Sequence, residues 1–417
     1  MHLWSDLEDN QQPLEITGHG RTRRLAEPAV LASLREWLLD EYVAEYCRSL
    51  ATTRIFRRCY LVDALGIAAK GRASTASSAL HPTLQPIRAL AQTLSQESKP
   101  IALYGLLLAH GSSRRKDTRQ NGTKELSMPK ESGIINASWL EAAPQLLQEI
   151  EQSPAILLLN PFGHTLFTHD DLTTLYKRTA PTELCLLLSH KQVETLFLTA
   201  LRSPAYAIVL TAVLRTDRWK ALSTQETQRK KTISDLIGLF VASMQRHFVF
   251  PVQQITLPVL VRPGIVDDIP YTLVFATRRQ DSLVSMNDAL CRYQRTICEQ
   301  RHRGVLSEEW FETQYKERIE DERLQLQETL LQQGRSQRVR RWPDLRQHLL
   351  VANFGEFLLR DYDTLLQHLL QSGEVRCEWR RTPTEDEPKR LPGNDDTLLW
   401  PEEKNVLKER GSTRGKH

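Results

Sequence analysis

Asn160, Pro161, Phe162 and Gly163 close an uninterrupted apolar run, Ala155 to Leu159. Such a run reads as a strand buried on both faces, of the kind found inside a parallel α/β sheet. A polar turn at the carboxyl end of that strand sits where open α/β sheets place ligands. Asp63 is a second group of this sort. It ends the strand pattern Arg58-Cys59-Tyr60-Leu61-Val62-Asp63, and Gly66 and Gly71 lie in the small-residue stretch that follows. A strand ending in an acid, then a glycine-bearing loop, is how nucleotide-type cofactors are met. Glycine lets the backbone approach, and the next helix offers free N–H groups. Gly66 and Gly71 do not form GxGxxG, so an ordinary strand-to-loop turn is the competing reading.

Two other clusters invite a metal reading and are better explained without one. His164, His169, Asp170 and Asp171 precede Leu172, Leu175 and Tyr176, so the acids read as caps of an amphipathic helix. Cys291, Cys298 and His302 fall at mixed spacing and lack a fourth ligand. No metal site is expected. Arginines gather at two places late in the chain: Arg335, Arg338, Arg340 and Arg341, then Arg376, Arg380 and Arg381. Guanidinium groups clustered in this way contact phosphates and give sequence-independent affinity for nucleic acid.

The elements that must position these residues follow in order. Residues 1–27 read as a loose leader. Leu31, Leu34, Trp37, Leu38, Tyr42, Val43 and Tyr46 recur at helical steps before the strand at 58–63. A second strand is expected at 101–108, then a polar, charged insertion at 111–133 whose Arg114, Arg115, Lys116 and Arg119 read as a solvated loop. A short strand at 134–136, a helix over 139–150, the strand ending at Asn160 and a strand at 183–188 come next. A helical region over 191–247 leads to strands at 254–261 and 271–277, joined as an antiparallel hairpin through 262–270. Alternating strands and helices finished by a hairpin predict a mostly parallel Rossmann-like α/β sheet of the methyltransferase type.

The last third reads differently. A charged helical connector runs to about residue 334. Helices are expected at 342–350 and 357–370, the second stopped by Gly373. Residues 374–381 alternate like a strand, 382–394 form a Pro-rich loop, and 396–400 return as its partner. Two helices and a hairpin with a long tip predict an α+β winged-helix module over 335–400. Residues 401–417 read as a disordered charged tail. Arg360 and His368 share the second helix with Asp361 and Asp363, which favours backbone contact over base reading.

Composition bounds the setting. A net charge of +4 over 417 residues leaves nucleic-acid affinity to local patches. Six scattered cysteines with no CxxC fit reduced thiols in a cytoplasm. The opening MHLWSDLEDNQQ is acidic and polar, unlike a signal peptide, and no apolar run approaches the ~18 residues of a membrane helix. A soluble cytoplasmic protein is expected.

Asn160-Pro161-Phe162-Gly163 also resembles the Asp/Asn/Ser-Pro-Pro-aromatic turn of amino-methyltransferases. There an amide or carboxylate and a backbone carbonyl hold a planar NH2 group, and the aromatic stacks on the base. The chain further resembles the three-Cys-motif partner (TcmP) family, bacterial methyltransferase-like proteins named for a gene neighbour. Four places carry the likeness: Val62-Asp63 and its loop, Leu159 to Gly163, Thr216-Asp217-Arg218-Trp219, and Tyr271-Thr272-Leu273-Val274-Phe275-Ala276-Thr277. The resemblance covers roughly residues 28–295. It implies a methyltransferase-like domain over 28–295, S-adenosylmethionine held by Asp63, Gly66 and Gly71, and a catalytic turn at Asn160 to Gly163. A separately encoded protein partner is implied as well. The chain departs from the family at its reduced glycine loop, at Ala109-His110 where an acid is expected, and at Asn160 in place of Asp. Two functions follow: a nucleic-acid-associated methyltransferase-like protein, or a non-catalytic scaffold that docks its partner on the same fold.

Overall fold

The computed structural model describes residues 31–67, 82–109, 131–163, 166–262, 265–302, 308–337, 341–381 and 390–400. The expected leader, Gly71, the arginine-bearing part of the insertion, His164, Arg338, Arg340, the hairpin tip and the charged tail lie outside the described residues. The chain divides into two compact units, 1–285 and 286–417.

The first unit is a Rossmann-like α/β domain. Residues 31–37 are helical, followed by a π-helical turn Leu38–Val43 and α1 (Ala44–Thr52). The helical spacing read from the sequence places Leu34, Leu38, Tyr42, Tyr46 and Leu50 on a fully buried side. Next in order are β1 (Arg58–Ile67), α2 (Leu84–Gln96), β2 (Ala102–Ala109), β3 (Gly133–Ile135), α3 (Trp139–Glu149) and β4 (Ala155–Leu159). Then come α4 (His169–Tyr176), β5 (Thr182–Ser189), α5 (His190–Arg202), α6 (Pro204–Leu214), α7 (Arg229–Gln245), β6 (Gln253–Arg262) and β7 (Ile265–Ala276).

These strands form one sheet in the order β3-β2-β1-β4-β5-β7-β6. β1, β2, β3, β4 and β5 pair in parallel, and β7 runs antiparallel to both β5 and β6. Every residue of β4 and β5 is buried, as an apolar strand covered on both faces must be. One face carries Val62, Leu157, Leu159, Leu186 and Leu188 into a core with Trp139, Phe162, Trp219 and Phe240. On the other side of the pleat, Tyr42 packs edge-on to Phe275 with ring centroids 5.6 Å apart.

The hairpin is tighter than its sequence suggests. β6 reaches Arg262 and β7 starts at Ile265, so both strands run through the expected link. Pro270 explains the difference. It reads as a turn residue, yet it lies within β7 where the β6–β7 register shifts opposite Leu257 and Val259, a bulge that tolerates a missing N–H.

α8 (Gln280–His302) crosses the division between the units. The second unit continues with α9 (Glu308–Gln337), α10 (Trp342–Ala352), α11 (Leu359–Ser372), β8 (Arg376–Glu378) and β9 (Thr397–Leu399). Gly373 caps α11 in the left-handed region at φ 77°. The expected strand at 374–381 shrinks to the three residues of β8. Asp396 ends the ladder: its carboxylate accepts the Arg380 N–H at 2.9 Å and the Gly393 N–H at 2.8 Å, replacing strand pairing.

Candidate functional site

In this sheet the connections run outward from β1 to β2 and β3, then return to β4 beside β1. The crevice at the carboxyl ends of β1 and β4 is therefore the topological switch point, where such sheets bind ligands. Asp63 lies opposite Leu158 in the β1–β4 register, and Asn160 follows two residues beyond. The two residues singled out by sequence, 97 positions apart on the chain, thus reach one rim.

Asp63 is already engaged there. It is 2% exposed, and the Arg35 guanidinium, itself 8% exposed, forks onto it. Nε donates to Oδ2, and Nη2 donates to Oδ1 at 3.1 Å. Arg35 Nη2 also donates to the Gly66 carbonyl at 2.9 Å, and the Leu65 N–H bonds Asp63 Oδ1 at 3.0 Å. Gly66 lies within β1 and not in a loop after it: the strand runs on to Ile67 past a register shift after Asp63, and Gly66 takes φ 87°, a conformation open to glycine. A buried carboxylate needs a cation and further donors, and this one has both. Arg35 is the site residue that sequence reading missed. Its only signal is a charge interrupting the apolar spacing of the first helix.

The turn after β4 is closed on itself in the same way. Asn160 Oδ1 accepts the Phe162 N–H at 3.1 Å, and Nδ2 donates to Gln192 Oε1 at 2.6 Å. The Pro161 carbonyl accepts the Phe167 N–H at 3.1 Å. Gly163 leaves its Cβ direction to the Asn160 carbonyl oxygen, which a methyl group would meet at 3.3 Å. Phe162 is 3% exposed and sits edge-on to Phe240 at 4.8 Å, so its ring serves the core.

Beside this turn, β5 ends in Ser189 and α5 begins at His190. His190 Nε2 and the Thr272 hydroxyl are 2.8 Å apart, and Thr256 stands 3.4 Å from the same hydroxyl. Burial lowers the imidazole to about 4, so the ring is neutral at pH 7 and offers one donor and one acceptor. His190, Ser234, Gln254, Thr256 and Thr272 line a cavity of about 100 Å³. Only the last residues of the β5 pattern, Ser189-His190, marked this place in the sequence.

In the second unit, the described arginines are spread over several elements. Arg335 is half-buried on α9, Arg341 precedes α10, and Arg376 is exposed on β8. Arg380 bonds Asp395 at 2.9 Å, and the Arg381 carbonyl accepts from Arg390. The acids of α11 have structural roles. Asp361 accepts the Leu358 N–H at the helix start, and Asp363 accepts the Trp342 indole N–H at 2.9 Å and the Arg346 guanidinium at 2.8 Å. Arg360 and His368 are left on the exposed face of that helix.

Among the described residues no group of three His, Cys, Asp or Glu side chains is placed to hold a metal ion, and no helix is long and apolar enough to cross a membrane. No protein-family model matches the chain, and neither does any curated protein or solved structure.

Proposed function

We propose that this chain is a three-Cys-motif-partner-type protein whose methyltransferase-type sheet works as a scaffold for a separately encoded protein partner. The sheet order 3-2-1-4-5-7-6 with an antiparallel seventh strand agrees with the methyltransferase type. The Arg35–Asp63 pair is the observation that carries the scaffold reading over the catalytic one. S-adenosylmethionine held at Asp63 would bring its ammonium group to a carboxylate whose two oxygens already face a buried guanidinium. The turn at Asn160 supports the same conclusion. Its amide oxygen and the Pro161 carbonyl, the two acceptors for a target amine, are bonded within the domain.

The second unit gives this scaffold its contact with nucleic acid. α10, α11 and the β8–β9 hairpin are read as a winged helix, and Arg341, Arg376, Arg380 and Arg381 meet the phosphate backbone. Arg335, Arg338 and Arg340 belong to the same basic group in the sequence. Asp363 is neutralised by Arg346, which leaves α11 less acidic towards a phosphate than its sequence suggests.

Calorimetric titration with S-adenosylmethionine, and with S-adenosylhomocysteine as companion, tests the first part. No heat and no thermal shift at millimolar ligand are expected. Micromolar binding that is lost on Asp63→Asn would establish the catalytic reading instead, with Asp63, Gly66 and Gly71 as the cofactor loop. For the second part, Arg376→Ala, Arg380→Ala and Arg381→Ala together should weaken duplex DNA binding and flatten its salt dependence. An unchanged salt slope would remove the winged helix from the interface.

A further inference from the structure

A group of basic side chains in the first unit has no part in the rim described above. His169 is the first residue of α4, Arg215 is the carboxyl cap of α6, Arg246 and His247 follow α7, and Arg278 follows β7. Four separate segments therefore bring them together. Arg215 Nη2 donates to His169 Nε2 at 2.5 Å. His247 stacks on Tyr176 with ring centroids 4.3 Å apart and planes 16° apart. Arg278 donates to the carbonyls of Tyr176 and Arg178 and lies 5.5 Å over the Phe248 ring.

Arg215 and Arg246 are exposed, and Arg278 is half-buried. Among the described residues no carboxylate bridges Arg215, Arg246 or Arg278. Burial lowers His247 below the ordinary imidazole range, and the fields of Arg215, Arg246, His169 and Arg278 lower it further. The His247 Nε2 atom is buried and has no hydrogen-bond partner. Arg215 holds a left-handed conformation at φ 54°, where glycine would be unstrained, and that backbone carries its side chain to His169.

We propose that Arg215, Arg246, Arg278, His169 and His247 form a binding site for a phosphate group. Forked guanidinium N–H groups match the oxygens of a tetrahedral oxyanion, and two imidazoles supply further donors once an anion is present. A dianion relieves the mutual repulsion of the three guanidinium groups. The phosphate comes from a nucleic-acid backbone or from a small phosphorylated ligand, and both present the same oxygens. The site lies in a different unit from the arginines of the winged-helix reading, so it stands or falls separately.

The test uses the full chain, with inorganic phosphate in calorimetry and a labelled duplex oligonucleotide in fluorescence anisotropy. Wild type is compared with R215Q/R246Q, and with R202Q/R218Q as a control of equal charge whose exposed arginines are outside the cluster. R215Q/R246Q should bind phosphate at least about a hundredfold more weakly, the loss of two charge-assisted contacts at about tenfold each, while the control binds as wild type. Phosphate should also raise the His247 titration midpoint in wild type, read by NMR of labelled histidine. A parallel loss of duplex binding assigns the phosphate to a nucleic-acid backbone. Duplex binding that survives assigns it to a small ligand. Equal phosphate affinity in wild type and R215Q/R246Q overturns the site, and so does an equal loss in the control.

Discussion

Replacing Arg35 by Met would strip a buried carboxylate of its cation while keeping the aliphatic volume. Asp63 is 2% exposed, so water cannot take over the guanidinium's role. Removing one partner of a buried ion pair costs about 3–5 kcal/mol, because the remaining charge is left uncompensated. The Leu65 N–H at 3.0 Å stays on Asp63 and offsets part of this. Loss of the bond from Arg35 to the Gly66 carbonyl adds about 1 kcal/mol in the other direction. R35M should therefore unfold in urea with its stability reduced by roughly 3–5 kcal/mol. The double variant R35M/D63N should recover at least ~1 kcal/mol of that loss, since no charge is then buried alone. Far-UV circular dichroism along the urea gradient gives both values. A loss below ~1 kcal/mol for R35M, or no recovery in the double variant, would refute the account of Asp63 as a structurally neutralised carboxylate.

Glu183 predicts a pH dependence. It is fully buried, accepts from Tyr42 and Ser282 at 3.3 Å, and is raised by burial from 4.5 to about 7. A carboxyl that holds its proton more tightly in the folded state stabilises below pH 4.5 and loses that stabilisation as pH rises to about 7. E183Q should therefore be more stable than wild type at pH 8, by an amount on the order of 1–3 kcal/mol, and should gain nothing at pH 4.5. Urea midpoints at the two pH values decide it. In the second unit, D363A should cost about 1.5–3 kcal/mol by freeing both Arg346 and the Trp342 indole, read as a lower thermal midpoint. G334A should also destabilise, although alanine favours helices, because its Cβ would meet the Trp400 ring at 2.6 Å. A higher melting temperature for G334A would show that the ring moves aside freely.

Much of the framework was legible in the chain because strands and helices are encoded locally. The run Ala155 to Leu159 required a strand covered on both faces, and β4 is buried at every position. Asp170 and Asp171 read as capping acids, and Asp171 forms a reciprocal cap there with Thr168. Asp63 and Asn160 were recognisable because strand ends in an α/β sheet are the places where ligands meet the protein. The hairpin link was expected too wide because Pro270 reads as a turn residue, while the register shift in the β6–β7 ladder accommodates it within β7.

What surrounds those residues was decided only by tertiary structure. Arg35 lies 28 positions before Asp63, and Gln192 lies 32 positions after Asn160. A charge on a helix and an amide at the start of another carry no local mark of their partners. Bonding potential is satisfied by whatever the fold brings near, and only the packed chain fixes that neighbour. The basic side chains around His247 make the same point. They come from four segments whose sequences share nothing but a basic residue, and the sheet and its helices alone gather them. Sequence set the strands and the acid in β1; the fold chose the guanidinium that holds it.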